Sequence, residues 1–316
     1  AAALYGSHAA NGAIVITTKK GKEGRLSLTV SQNTEFLNTL VSPEFQNTYG
    51  TGDLLSASGS VERSWGNKLN SANYMGFDPI KDFLRTGVVT TETVSLSTGT
   101  EKNQTYFSAS AVNSAGMVPN NDYDRYNFTF RNTTSFLNDK MTLDVGASYI
   151  KQSDKNMVNQ GTYSNPLVTA YLFPRGDDWN EIKMYERWDT SRNIYTQYWP
   201  QGIDTFTGQN PYWIAYRNLR ENNKDRYMLN ASLNYKILDW LSVSGRVRVD
   251  NSVSNFTEKM YATSNTTLAE GSSNGLYGVT STRDKQLYAD FMVNINKNFG
   301  ENFSLQANLG GSLSDM

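Results

Sequence analysis

Apolar side chains recur at every second position along much of the chain, the period of a strand with one oily and one polar face. In "LSVSGRVRVD", Leu241, Val243, Val247 and Val249 share one face, and Ser242, Ser244, Arg246, Arg248 and Asp250 the other. "MTLDVGASY" sets Met141, Leu143, Val145, Ala147 and Tyr149 against Thr142, Asp144 and Ser148. Tyr227 to Ile237, Leu287 to Asn296 and Phe303 to Leu309 repeat the pattern, placing Lys236 and Asp290 on polar faces. Weaker alternation runs through Arg25 to Phe36, Val89 to Thr98, Gln104 to Asn113 and Tyr123 to Phe136. The pattern predicts about nine strands after Gly24.

The connections between these strands alternate in length. Residues 99–103, 137–140, 238–240 and 298–302 make tight turns, whereas residues 37–87, 156–222 and 258–282 are long and 114–122 is intermediate. An antiparallel meander then carries its tight turns at one end and its long loops at the other, the asymmetry of outer-membrane barrels. About ten residues per strand, rising about 3.3 Å each and tilted about 45°, span roughly 23 Å, close to the apolar band of such barrels. Asp144, Arg246, Arg248 and Asp290 would face a watery lumen, where they are solvated wall charges or contacts to solute. Turned to lipid, an Arg or Lys at mid-membrane would cost about 2–4 kcal/mol. Phe136, Tyr235, Trp240 and Phe299, near the tight turns, suit an interfacial girdle. A soluble β-sandwich also alternates, but loops of this length are unusual in one.

Composition narrows the chemistry. The 316 residues carry a formal net charge of −1, 19 Tyr, 14 Phe, one His and no Cys. No global field marks a nucleic-acid binder. Disulfides, thiolate metal sites and Cys nucleophiles are excluded, and a Ser-His-Asp triad would have to use His8. No cofactor is expected. Short helices are expected in two loops. Asp177 or Asp178 can cap one that carries Ile182, Tyr185 and Trp188, and Asn210 precedes Pro211 at the start of another. The acidic pair Asp177-Asp178 offers capping or a Ca²⁺ contact; no metal site is assigned. Residues 156–222 are dense in rings, among them Trp179, Tyr185, Trp188, Tyr198, Trp199 and Trp213. These can stack on a solute, meet a partner, or pack the loop's own core.

The stretch "YGSHAANGAIVITTKKGKEG" resembles the end of the plug domain in TonB-dependent outer-membrane transporters of the SusC/RagA family. Tyr5, Gly6, Ser7, Ala10, Asn11 and Gly12 carry the likeness, with Ala9; His8 stands where the family usually has arginine. Asn-Gly also supplies the positive-φ residues of a tight turn. "SLSTGTEKNQTYFSASAVNSAGMVPNNDYDRYNFTFRNTTSF" is similar to the family's early barrel strands. "NPYWIAYRNL" followed by "DRYMLNASLNYKILDWLSVSGRVRVD" is similar to a later hairpin.

The resemblance implies an all-β transmembrane antiparallel barrel of about 22 strands. Residues 1–22 would be the C-terminal end of a plug, and 23–316 the N-terminal part of the barrel. The signal peptide, TonB box and most of the plug would precede Ala1, and the remaining strands would follow Met316. It implies active import of an oligosaccharide or peptide across the outer membrane of a Gram-negative bacterium. The partners implied are the TonB complex and a SusD-like surface lipoprotein; no reaction on the solute is implied. A passive porin or adhesin barrel is the alternative, against which the opening stretch argues.

Overall fold

In the computed structural model, residues 19–54, 63–70, 76–200, 208–300 and 303–315 are described. The plug-end residues Tyr5, Gly6, Ser7, Ala10, Asn11 and Gly12, and His8 with them, lie outside that set. Nine antiparallel strands make one sheet, each paired with its neighbour in sequence order. They are β1 (Gly24–Leu37), β4 (Gly87–Gly99), β5 (Asn103–Ala115), β6 (Asp122–Phe136), β7 (Met141–Lys155), β10 (Asn218–Leu238), β11 (Leu241–Met260), β12 (Leu276–Phe299) and β13 (Phe303–Asp315). Two small pairs lie in the long loops: β2 (Gly52–Asp53) with β3 (Ser64–Trp65), and β8 (Glu186–Asp189) with β9 (Ile194–Gln197). Among the described residues, no helix is long and apolar enough to cross a membrane.

The register aligns the faces across the whole sheet. Leu143, Leu233, Gly245 and Phe291 form one lateral row, and Val145, Ala231, Val247 and Ala289 the next. Leu28 faces Leu96, and Phe107 faces Phe130, on the same side. Many of these side chains are exposed, Leu233 by 40% and Phe291 by 54%. Such a continuous oily surface has no place in water and matches hydrocarbon. Phe136, Tyr235 and Phe299 close the band at the tight-turn end, and Lys297 Nζ lies 4.4 Å over the Trp240 ring.

Three strands outrun their alternating pattern. β10 spans 21 residues, β11 20 and β12 24, so the loops shrink to residues 156–217 and 261–275. Their loop-side halves carry polar residues on both faces, for example Glu221, Asn223 and Asp225 beside Arg220, Asn222 and Lys224. Beyond the hydrocarbon neither face has to be apolar, so pairing continues where the periodic signal stops.

The loops fold into a layer over the end of the sheet. It holds α1 (Pro79–Phe83), α2 (Pro166–Leu172), α3 (Trp179–Lys183) and α4 (Pro211–Arg217). Asp78, Asn165, Asp178 and Asn210 are their N-caps, each accepting a hydrogen bond from the backbone N–H two residues on. In three of the four a proline follows the cap, where its missing N–H costs nothing. The expected helix from Asp177 or Asp178 is therefore shorter than its periodicity suggested. It stops at Lys183, Tyr185 lies beyond it, and Trp188 pairs with Tyr195 in the β8–β9 hairpin.

Candidate functional site

Two surfaces bear on function: the polar face of the sheet and the loop layer at its end. On the polar face the register gathers the predicted charges. Asp144, Ser232, Arg246 and Asp290 lie in one lateral row, and Arg248 faces Tyr288 one step nearer the loops. Arg246 Nε donates to both Asp290 oxygens at 3.0 and 2.9 Å. Arg131 Nε donates to both oxygens of Asp144 at 3.0 and 3.1 Å, and Thr133 Oγ1 donates to it at 2.7 Å. Lys20 Nζ stands 3.9 Å from the same carboxylate, which is only 7% exposed. Arg226 grips Asp250, with Nε to Oδ1 at 2.8 Å, and Arg220 lies 3.5 Å from Glu258. Alternation alone gives the face of each charge; these pairings need the strand register, which sequence did not reveal.

The loop layer has its own core. Phe77, Phe83, Val118, Ala170, Phe173, Trp179 and Ile182 pack together, with Trp199 and Tyr212 against them. Phe77 stacks on Trp179 with centroids 4.2 Å apart, and Phe173 meets Trp179 edge-on at 5.1 Å. Trp179 and Trp213 are thus interior, Trp213 with no exposed area, and offer no ring face to a solute. Trp213 Nε1 donates to Ser264 Oγ at 2.9 Å, and Ser264 donates to Asn218 Oδ1 at 2.7 Å, tying two loops to the start of β10. Tyr185 stacks on Tyr216, while Tyr198 bonds Glu181 and lies under Arg187. Of the six rings singled out in the sequence, Trp188 is the one left outward, 51% exposed and edge-on at 5.0 Å to Tyr195, which is exposed as well. Asp178 caps α3 through Asn180 N at 2.9 Å, and Asp177 accepts from Thr51 Oγ1 at 2.6 Å.

Where loop meets wall there is a groove of mixed polar and apolar lining, about 420 Å³ in volume. Asp154, Asn159, Gln160, Arg220 and Asn222 line it together with the apolar Met157, Val158 and Phe256. Asn222 Nδ2 donates to Asp154 Oδ2 at 3.1 Å, and Ser254 Oγ donates to Asn222 Oδ1 at 2.7 Å. A carboxylate, a guanidinium and side-chain amides at one place can bond hydroxyls or peptide groups of a polar solute. Sequence reasoning passed over this set, because its members come from β7, β10, β11 and the loop after β7.

One titration follows from the loop core. Burial pushes the Tyr212 phenol up to about 12, opposed by the Trp179 N–H that donates to its oxygen. Folding favours the protonated form, so the Tyr212 contribution is intact below pH 10 and disappears as pH rises through about 12. In an alkaline titration followed by phenolate absorbance, the wild type should show a tyrosine ionising at about 12 that Tyr212→Phe lacks. An unchanged curve would refute the assignment.

No family model matches the chain. The chain is 30% identical over 248 residues to the TonB-dependent receptor SusC of Bacteroides thetaiotaomicron, covering 75% of this chain and 24% of that protein. It is 32% identical over 131 residues to the TonB-dependent receptor P39 of Formosa agariphila, covering 39% of this chain and 12% of that one. The chain therefore spans a quarter or less of the length of these curated relatives. Its fold matches the RagAB peptide importer in the closed-closed state with a TM-score of 0.66 at 16% identity, over 93% of this chain and 35% of that one. The open-open state gives 0.66 at 17%, over 98% and 36%.

The two-faced meander with tight turns at one end is thus barrel wall of the TonB-dependent transporter type. Within that class the chain resembles the SusC/RagA-like TonB-dependent receptors, SusC in sequence and the RagAB importer in fold.

Proposed function

We propose that this chain contributes the first part of the barrel, and the end of the plug, to an energised importer in the outer membrane of a Gram-negative bacterium. The observation that carries the reading is the two-faced wall. An unbroken apolar surface backs onto a face where Arg131–Asp144, Arg246–Asp290 and Arg226–Asp250 are paired within reach of water. Such a face suits the passage of a large polar solute, an oligosaccharide or a peptide. The RagAB relatives are named as a peptide importer, which favours neither class for this chain. The loop layer, with Trp188 outward, is where a SusD-like lipoprotein would sit, and the groove beside Arg220 is where solute would first touch the wall. Residues 1–22 are taken as the plug end, through which the TonB complex would act on a segment nearer the N-terminus. The protein works by movement rather than by a reaction on its solute, so it is not an enzyme.

The test is energised uptake. Cells carrying the full-length gene should accumulate labelled oligosaccharide or peptide only while the inner membrane is energised and TonB is present. Uptake that continues after the proton gradient is collapsed would identify a passive pore instead.

A further inference from the structure

The short stretch that leads into β1 runs along the polar face of the wall, which the importer reading makes the lumen side. Its three contacts fall on different strands. Gly21 is buried against β5, and a Cβ there would lie 2.5 Å from Thr105 N and 2.7 Å from the Gln104 carbonyl carbon. Those are backbone atoms of a strand paired on both sides, so they cannot yield, and only glycine fits. The Lys22 N–H donates to Ser97 Oγ of β4 at 3.0 Å. Lys20 Nζ reaches to 3.9 Å from Asp144 of β7, the carboxylate that Arg131 and Thr133 already hold in place. Ser97, Gln104 and Asp144 all lie close to the tight turns at residues 100–102 and 137–140. Gly24, with φ +127°, then turns the chain into β1, whose pairing with β4 begins at Gly24 opposite Gly99.

We propose that this patch of β4, β5 and β7 is a docking seat for residues Lys20–Lys22, and that solute passes through the transporter with this strap still seated. The second half of the proposal rests on the importer reading. A pull on the chain before Lys20 is shared among a backbone hydrogen bond, a close backbone fit and an ion pair to a mostly buried carboxylate, on three strands. The pull also meets the β1–β4 ladder, which continues as far as Leu37 opposite Gly87. To lift the strap, all of these must break within a few residues of each other, so residues 20–22 stay on the wall while solute passes.

These 316 residues hold no cysteine, and any cysteine elsewhere in the full-length protein is first replaced by serine, so that only the introduced pair is joined. In the full-length transporter, Lys22→Cys and Ser97→Cys are linked by a short bismaleimide in intact membranes. High cross-link yield is expected, with energised uptake within about twofold of the equally treated single-cysteine controls. A pair that does not cross-link in folded protein overturns the seat. Uptake that collapses only in the cross-linked double variant overturns the fixed strap. As a second measurement, Asp144→Asn keeps the side-chain size and removes the charge that attracts Lys20, leaving one oxygen to accept from Arg131 and Thr133. Labelling of a Lys20→Cys reporter cannot show this, so the readout is tryptic cleavage after Lys20, expected to quicken by about threefold. An unchanged cleavage rate removes Asp144 from the proposal. Absence of energised uptake in the wild type would sink the importer reading and the seated-transport claim with it, while the cross-link yield still decides the seat.

Discussion

Replacing Leu233 by arginine is expected to lower the folded protein recovered from the outer membrane by about tenfold or more, whereas Asn234→Arg, one residue on, is expected to leave it nearly unchanged. The two positions are neighbours on β10 and point to opposite faces. Leu233 lies in the row with Leu143, Gly245 and Phe291, inside the apolar band and one same-face position from Tyr235 at its tight-turn edge. A guanidinium there costs about 2 kcal/mol, between the roughly 2–4 kcal/mol of the midplane and the roughly 0–1 kcal/mol of the interface. Asn234 lies between Thr142 and Ser244 on the polar face, where a new cation meets water and changes stability by about 0.5 kcal/mol or less. Heat-modifiable mobility of the full-length barrel in gels reports the folded fraction. Equal yields from the two variants would mean that the oily side does not meet lipid, and the reading of the sheet as membrane wall would fall.

The same contrast explains what the sequence could tell. Lipid imposes a period of two, so every strand segment inside the band is legible, and so are the tight turns that need few residues. Outside the band that constraint lapses. Glu221, Asn223 and Asp225 are as polar as their neighbours, and the strands they extend look like loop. The partner of each charge is likewise hidden, since Arg246 meets Asp290 across 44 residues only through register. In the loop layer local chemistry is legible where a cap precedes a proline, as at Asn210-Pro211. The same signal at Asp78-Pro79 and Asn165-Pro166 marks α1 and α2, which were not anticipated. The rings are the harder case. Trp179 and Trp188 have similar sequence surroundings, yet one is interior and the other outward, because burial here is decided by contacts from residues 77–83 and 173, far along the chain.

Asn210 shows how much of the loop layer hangs on one such residue. It has no exposed area. Its Oδ1 accepts from Tyr212 N at 2.9 Å and caps α4, while its Nδ2 donates to Ile182 O at 2.8 Å and to Tyr198 O at 2.9 Å. One side chain thus joins the start of α4 to the end of α3 and to the strand end after β9. Asn210→Ala loses the cap, worth about 1 kcal/mol, and strands the buried Ile182 carbonyl at about 1–3 kcal/mol and the half-buried Tyr198 carbonyl at less, so a loss of about 2–4 kcal/mol is expected. Asn210→Asp separates the two roles. Aspartate caps as well as asparagine, but it has no N–H for the carbonyls and sets a carboxylate oxygen against them. If capping were the whole story, the aspartate variant would behave like the wild type. The bonds to Ile182 and Tyr198 instead require it to be at least as damaging as alanine. In both variants protease should cut within residues 156–217 at lower temperature, while the barrel keeps its heat-modifiable mobility. This is because the wall strands β7 and β10 pair directly from Lys155 and Glu221 onward without help from the loop. A wild-type-like Asn210→Asp would show that the two carbonyls find other donors.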